Sequence, residues 1–191
     1  VHDICIDRLK DQHSLCHSTD EIAIFWAMFS KSRQLGDIRE GQDYKIKAVD
    51  KLTVTVKGEP RKVITFDKPR LILFIRSSIC VAKANIQARK EGKVMIPDES
   101  LMSYLMATPE YFGKTYSPLK FRVLDELGTP KRITNDKGEN VLVFDQERVL
   151  AFDYDAVCEC NDINLQTITE RISQSQNSVT SSDDANDELT A

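Results

Sequence analysis

Three cations bracket a polar turn in the second half of the chain. Lys131 and Arg132 precede Asn135-Asp136-Lys137-Gly138, and Lys137 sits inside that turn. Asn, Asp and Gly at these offsets are hairpin-turn chemistry. Cations on such a loop neutralise phosphates without reading bases. A second set lies upstream. Ser100, Ser103 and Tyr104 fall on a short helix opened by Pro97-Asp98-Glu99, and Lys114 follows just beyond it. Hydroxyls and an ammonium in that arrangement can donate to a nucleic-acid backbone. A third set is Lys83 and Lys90, seven residues apart and so on one helix face, with Asn85 and Gln87 beside Lys83. They belong to a basic group that also holds Arg76, Arg89 and Lys93. A solvated helix face explains this third set slightly better.

Other chemistry finds little support. His2, Cys5, His13, Cys16 and His17 are metal-capable, but no tight Cys pair is matched by a second pair, as a structural zinc site requires. Cys158 and Cys160 are one residue apart, which strains a tetrahedral site. Asp153, Asp155, Glu159 and Asp162 read as a strand end and a helix start in preference to a metal site. The chain has no phosphate-cradling glycine loop, no dinucleotide fingerprint, no H-E-x-x-H and no nucleophile elbow. Neither a cofactor nor catalysis is expected. Phe25, Trp26 and Phe29 could stack bases, but at helical spacing they read as core.

The elements that must position these residues follow from periodicity. Ser18-Thr19-Asp20-Glu21 is helix-start chemistry. Ile22, Phe25, Trp26 and Phe29 then place one apolar stripe on a helix over about 20–35, stopped by Gly36. Residues 38–49 alternate as a strand, and 52–66 read as a hairpin that Lys68-Pro69 interrupts. The continuous apolar run Leu71 to Ile75 predicts a buried strand. Ser77-Ser78 can cap a helix over about 79–91, ended by Gly92, and a second helix follows from Pro97. Tyr111-Phe112-Gly113 reads as a further turn. Strands are expected from Phe121, from Val141 and over 149–152, with a terminal helix at about 163–172.

Composition sets the outer limits. The 191 residues are 41% hydrophobic and 29% charged, as in a globular protein. No apolar run nears the roughly 18 residues of a membrane span, and Asp3, Asp7 and Arg8 break any signal-peptide core. A cytoplasmic location is expected, with Val1 either a cut inside a longer protein or a processed start. Five scattered cysteines fit reduced thiols. The net charge of −4 comes from Asp183, Asp184, Asp187 and Glu188 in the tail, which holds no Lys or Arg. The body is neutral, yet Thr65 to Lys93 carries seven basic and two acidic residues.

An amphipathic helix, a strand, two helices and a hairpin with a basic loop succeed one another. This is the order of a winged helix-turn-helix. The expectation is therefore α+β: a winged helix-turn-helix-like domain over 18–172 with an additional β-hairpin. A polar lead-in at 1–17 precedes it, and a disordered acidic tail at 173–191 follows. In that fold the second helix of the pair would meet DNA, although it carries Asp98 and Glu99 and no Lys or Arg.

Several stretches sharpen this. Ile24-Phe25-Trp26, Gly41-Gln42-Asp43-Tyr44, Leu73-Phe74-Ile75, Ser100 to Leu105, Pro109-Glu110-Tyr111-Phe112-Gly113 and Ala151-Phe152-Asp153-Tyr154 together resemble one family. It is the C-terminal domain that follows the P-loop ATPase in primase–helicase-type replication proteins of bacterial phages and mobile elements. The resemblance spans roughly 20–165, and residues 49–69 are a longer insertion than such a domain needs. It implies a non-catalytic DNA-contacting module beside an upstream ATPase, with DNA as partner and neither membrane nor small-molecule substrate. A protein-docking domain of a replication assembly is the alternative, favoured by the neutral body. A free-standing transcription regulator is a weaker third, because 163–172 is short for a dimerisation helix.

Overall fold

A computed structural model describes residues 21–57, 59–93 and 97–165. The lead-in, the acidic tail and most of the expected terminal helix lie outside them. The class is α+β, with helices packed on antiparallel sheets.

The first helix, α1, covers 21–34. Its stripe drives it into the core: Phe25, Trp26, Met28 and Phe29 are all buried. It stops where the sequence predicts. Gly36 takes φ +79, its N–H donates to Arg33 O, and Asp37 N–H reaches back to Ser32 O at 2.9 Å. Those two bonds satisfy carbonyls that the helix end would otherwise leave open.

Two long strands follow, β1 (Tyr44–Val56) and β2 (Glu59–Ile75). They pair as one hairpin, so the strand expected at 38–49 and the hairpin expected at 52–66 are parts of a single element, and strand structure begins only at Tyr44. β2 runs straight through Lys68-Pro69, against the expected interruption, but the ladder slips there. Val49 faces Arg70 while Lys51 faces Thr65, leaving residues 66–69 unpaired. Pro69, which has no N–H to give, therefore costs the ladder nothing.

The helix pair comes next as α2 (Ser77–Lys90) and α3 (Asp98–Leu105). Ser77 and Ser78 lie inside the first turn of α2. The N-cap is Arg76, which makes no side-chain cap bond, so the expected serine cap is corrected. The predicted turn at 111–113 is strand β3 (Tyr111–Thr115). An arm then leaves the body and returns: β4 (Leu119–Arg122), β5 (Arg132–Thr134), β6 (Asn140–Leu142) and β7 (Phe144–Glu147). β4 pairs with β7 at the base and β5 with β6 at the tip. The chain re-enters through β8 (Leu150–Asp153) and ends in α4 (Tyr154–Cys160). This last helix starts earlier than the one expected at 163–172, most of which lies beyond the described residues. Asp153 caps it, accepting from Ala156 N at 3.3 Å. That is the structural role read for this acid from sequence.

β1, β2, β8 and β3 close into a four-stranded barrel. Closure needs Gly113, whose φ is +141. A Cβ there would lie 2.8 Å from Val54 Cβ and 3.0 Å from Thr55 O. No side chain fits between β3 and β1 at that distance.

Two cores follow from the two faces of the barrel strands. One face carries Tyr44, Leu73, Ile75, Leu150 and Phe152 against the helices. Trp26 meets Phe152 edge-on at 5.5 Å, and Phe29 meets Tyr44 at 5.5 Å. The aromatic stripe is thus core, as expected. The other face carries Leu52, Val54, Ile72, Phe74 and Ala151, with Phe121 from the arm base filling the space between them.

Candidate nucleic-acid interface

The arm is positioned from its base. Arg76, 9% exposed at the entrance of α2, donates from Nε to Glu147 Oε2 at 2.8 Å and pairs with Asp145. A further guanidinium N–H reaches Gln42 O at 3.3 Å. Burial works against its charge, but Glu147 and Asp145 outweigh burial and hold the proton more tightly than usual. The guanidinium also lies 5.2 Å from the Phe121 ring centre. On the other side of the base, Arg122 N–H donates to Gly41 O at 2.9 Å.

Asp43 completes the joint. It is 1% exposed, accepts from Arg39 N–H at 2.9 Å and pairs with Lys83 Nζ at 2.6 Å. Its carbonyl accepts from Arg76 N–H at 3.0 Å. The Gly41-Gln42-Asp43-Tyr44 stretch is therefore the seam where the first loop, α2 and the arm meet. An open cleft of about 670 Å³ runs along this seam. Its lining acids and bases pair largely with one another, as Asp43 does with Lys83 and Asp145 with Arg76.

Further out, Lys131 N–H donates to Val123 O and Val143 N–H to Lys131 O, so three segments of the arm meet at Lys131. Asn135 organises the tip: its Oδ1 accepts from Lys137 N–H at 3.0 Å and Glu139 N–H at 2.9 Å. Gly138 takes φ +77. The polar turn expected at 135–138 is formed. Lys131, Arg132 and Lys137 are all exposed on this one arm.

The remaining sequence-derived residues are spread elsewhere. On α3, Ser100 and Tyr104 are half-buried and Ser103 is exposed. Ser103 Oγ donates to Glu99 O at 3.2 Å. Leu101 and Leu105 anchor this helix in the core, and Asn85 Nδ2 donates to Asp98 at 3.1 Å. On α2, Lys83 is engaged by Asp43, whereas the Lys90 side chain is 59% exposed and only 3.8 Å from Asp37. Lys114 is exposed on β3, opposite Thr55 of β1.

The joint residues Arg76, Asp43 and Glu147 were not legible as a unit in the sequence. One signal was present: Arg76 directly follows the apolar run Leu71 to Ile75. A charge at the end of a buried strand must find partners.

No group of three or more metal-capable side chains gathers among the described residues. The five His and Cys of the lead-in lie outside them. No described helix is long and apolar enough to cross a membrane. No family model, curated protein or solved structure matches the chain.

Proposed function

We propose that this chain is a non-catalytic, cytoplasmic DNA-contacting module of a replication helicase- or primase-type protein, working beside an upstream ATPase. One observation carries the reading. The strand that precedes the helix pair, β2, pairs with β8, which pairs with β3. The arm is the excursion between β3 and β8. A helix, a strand, two helices and a strand pair sending out a polar loop is the winged-helix plan, with β1 as the added strand. In that plan the arm is the wing, and Lys131, Arg132 and Lys137 neutralise backbone phosphates. Ser100, Ser103 and Tyr104 lie along the helix that would face the groove. The stretches that resemble the replication family include the seam at Gly41 to Tyr44 and much of the core, which supports the same reading.

The test is fluorescence anisotropy of the 191-residue chain against single-stranded, duplex and forked DNA over a range of salt. Affinity should fall steeply, with a log–log slope of about −0.9 per duplex phosphate neutralised. Reversing Lys131 and Arg132 to Glu should weaken binding at all sequences alike. Absence of binding at low salt would sink the proposal.

A second reading has its own support. The arm exposes Ile133, Val141, Leu142 and Phe144, and residues 116–149 hold six acidic and six basic side chains. A neutral arm with exposed apolar residues suits docking on a replication partner. Capture of that partner at high salt without DNA would favour it.

A further inference from the structure

The β1–β2 hairpin changes face partway along. Near the helices, Tyr44 and Ile46 point toward them, while Lys45 turns the other way, toward Phe121. After the irregularity between Val49 and Lys51, Leu52 and Val54 occupy the inner face. The odd-numbered residues of distal β1 therefore continue the outer face, beyond the reach of any described helix. Lys51, Thr53 and Thr55 lie there. The ladder puts Thr65 and Val63 beside Lys51 and Thr53, and Lys114 beside Thr55. Tyr116, whose N–H donates to Thr53 O at 3.0 Å, falls on the same face as Lys114, two residues before it.

The chemistry of this face is specific. Tyr116 is 38% exposed. The Arg61 guanidinium lies 5.1 Å from its ring centre and that of Arg148 5.9 Å. Lys51, Arg61, Lys114 and Arg148 make no ion pair among the described residues. Over 44–75 the hairpin carries eight basic and three acidic residues, whereas the arm is balanced. Cations without an ion pair among the described residues, gathered around a partly exposed aromatic side chain on this side of the sheet, match a ligand with both phosphates and stackable bases. A duplex hides its base faces; a single strand offers them.

We infer that the distal β1–β2–β3 face binds single-stranded nucleic acid, with Tyr116 and its two guanidiniums stacking a base and Lys51 and Lys114 holding the flanking phosphates. This inference rests on the nucleic-acid reading above and adds a second surface of different specificity. An acidic peptide would meet the same cations but would gain nothing from the ring.

The experiment uses the full chain and a labelled oligodeoxythymidylate, with a duplex of equal length in parallel. Three proteins are compared: wild type, Tyr116→Ala, and Lys51→Ala with Lys114→Ala. Thermal unfolding confirms that each is folded. Stacking predicts a roughly tenfold weaker single-strand affinity for Tyr116→Ala. The double variant should flatten the single-strand salt slope by about 0.7 for each phosphate no longer neutralised. Duplex affinity should stay unchanged in both and fall only on reversal of Lys131 and Arg132. Single-strand binding that survives both sets of substitutions overturns the face assignment while leaving the wing reading intact. Equal losses on single strand and duplex also overturn it. A Tyr116→Phe variant separates stacking from the hydroxyl: it should bind as wild type does, and a tenfold loss there would overturn the stacking role. Absence of any DNA binding by the wild type removes both readings.

Discussion

Arg76 and Glu147 are 71 residues apart in sequence and joined by a 2.8 Å charge-assisted hydrogen bond. The bond ties the entrance of α2 to the last strand of the arm. Arg76 is the more buried partner, at 11% side-chain exposure against 33% for Glu147 and 49% for Asp145. Losing the guanidinium thus frees two carboxylates that water can reach, and the loss is moderate. Arg76→Met should destabilise the protein by about 2 kcal/mol, a fall in Tm of roughly 4–8 °C. Amide exchange should quicken in β4 and β7 and stay slow in β8. Unchanged exchange across the arm base would show that the pair does not hold the arm.

Lys83 and Lys131 should separate cleanly in experiment. Lys83 Nζ neutralises the buried Asp43 carboxylate at 2.6 Å, whereas Lys131 is exposed and makes no ion pair among the described residues. Lys83→Ala should cost about 2–3 kcal/mol of stability, because it strands a buried charge, while leaving the DNA salt slope unchanged. Lys131→Ala should do the reverse, with stability held to within about 0.5 kcal/mol and the slope reduced by about 0.9. Unfolding curves and salt titrations on the two variants check this. A flatter slope for Lys83→Ala would place that ammonium on phosphate after all.

Gly113 is required by close approach as well as by its backbone. Gly113→Ala pushes a methyl group to 2.8 Å from Val54 Cβ and should destabilise the fold by about 3 kcal/mol. Gly36→Ala is the control. It shares a positive φ but has nothing within 4 Å, so its cost should be only about 1 kcal/mol. Equal losses at the two positions would mean that the β1–β3 contact yields.

Asp125 gives the arm a dependence on acid. Its carboxylate accepts from Thr129 Oγ1 at 2.6 Å, from Thr129 N–H at 2.8 Å and from Leu127 N–H at 3.0 Å. The Thr129 bonds foremost hold its pKa below the ordinary value. The folded pKa is therefore the lower one. The turn's gain is complete above the usual Asp value of about 3.9 and is lost as pH falls through the depressed one. Leu127 and Thr129 amide signals should hold steady from neutral pH to about 4 and then shift together. Asp125→Ala should abolish that transition. A midpoint at the usual Asp value would sink the argument.

What the sequence made legible was local. The α1 stripe, its Gly36 stop, the buried run at 71–75, the helix pair and the Asn135 turn all follow from side-chain types within a few positions. What it hid was long-range or depended on pairing. Tyr111-Phe112-Gly113 looked like a turn because aromatics beside a glycine carry no period. Only the approach of β1 makes that segment a strand. Lys83 looked free because nothing near it in sequence is acidic except Glu91, yet its partner Asp43 lies 40 residues away. Arg61, Tyr116 and Arg148 could not be grouped until the hairpin register brought three separate segments together. Lys131, Arg132 and Lys137 were easier, because one hairpin carries all three.

The slip of the hairpin between Val49 and Lys51 also partitions the molecule for change over time. Inside it, side chains of β1 and β2 alternate between the two cores, Tyr44, Leu73 and Ile75 on one and Ile72 and Phe74 on the other, and losing or gaining one residue would turn both inside out. Outside it, Leu52 and Val54 still pack into the second core, and the ladder joins Lys51 to Val56 with Glu59 to Thr65 and, at Val54 and Thr55, with β3. Beyond the β3 contact that segment can grow or shrink two residues at a time, keeping its outward side outward. A lineage could therefore retune the reach of this hairpin without renegotiating the body that holds it.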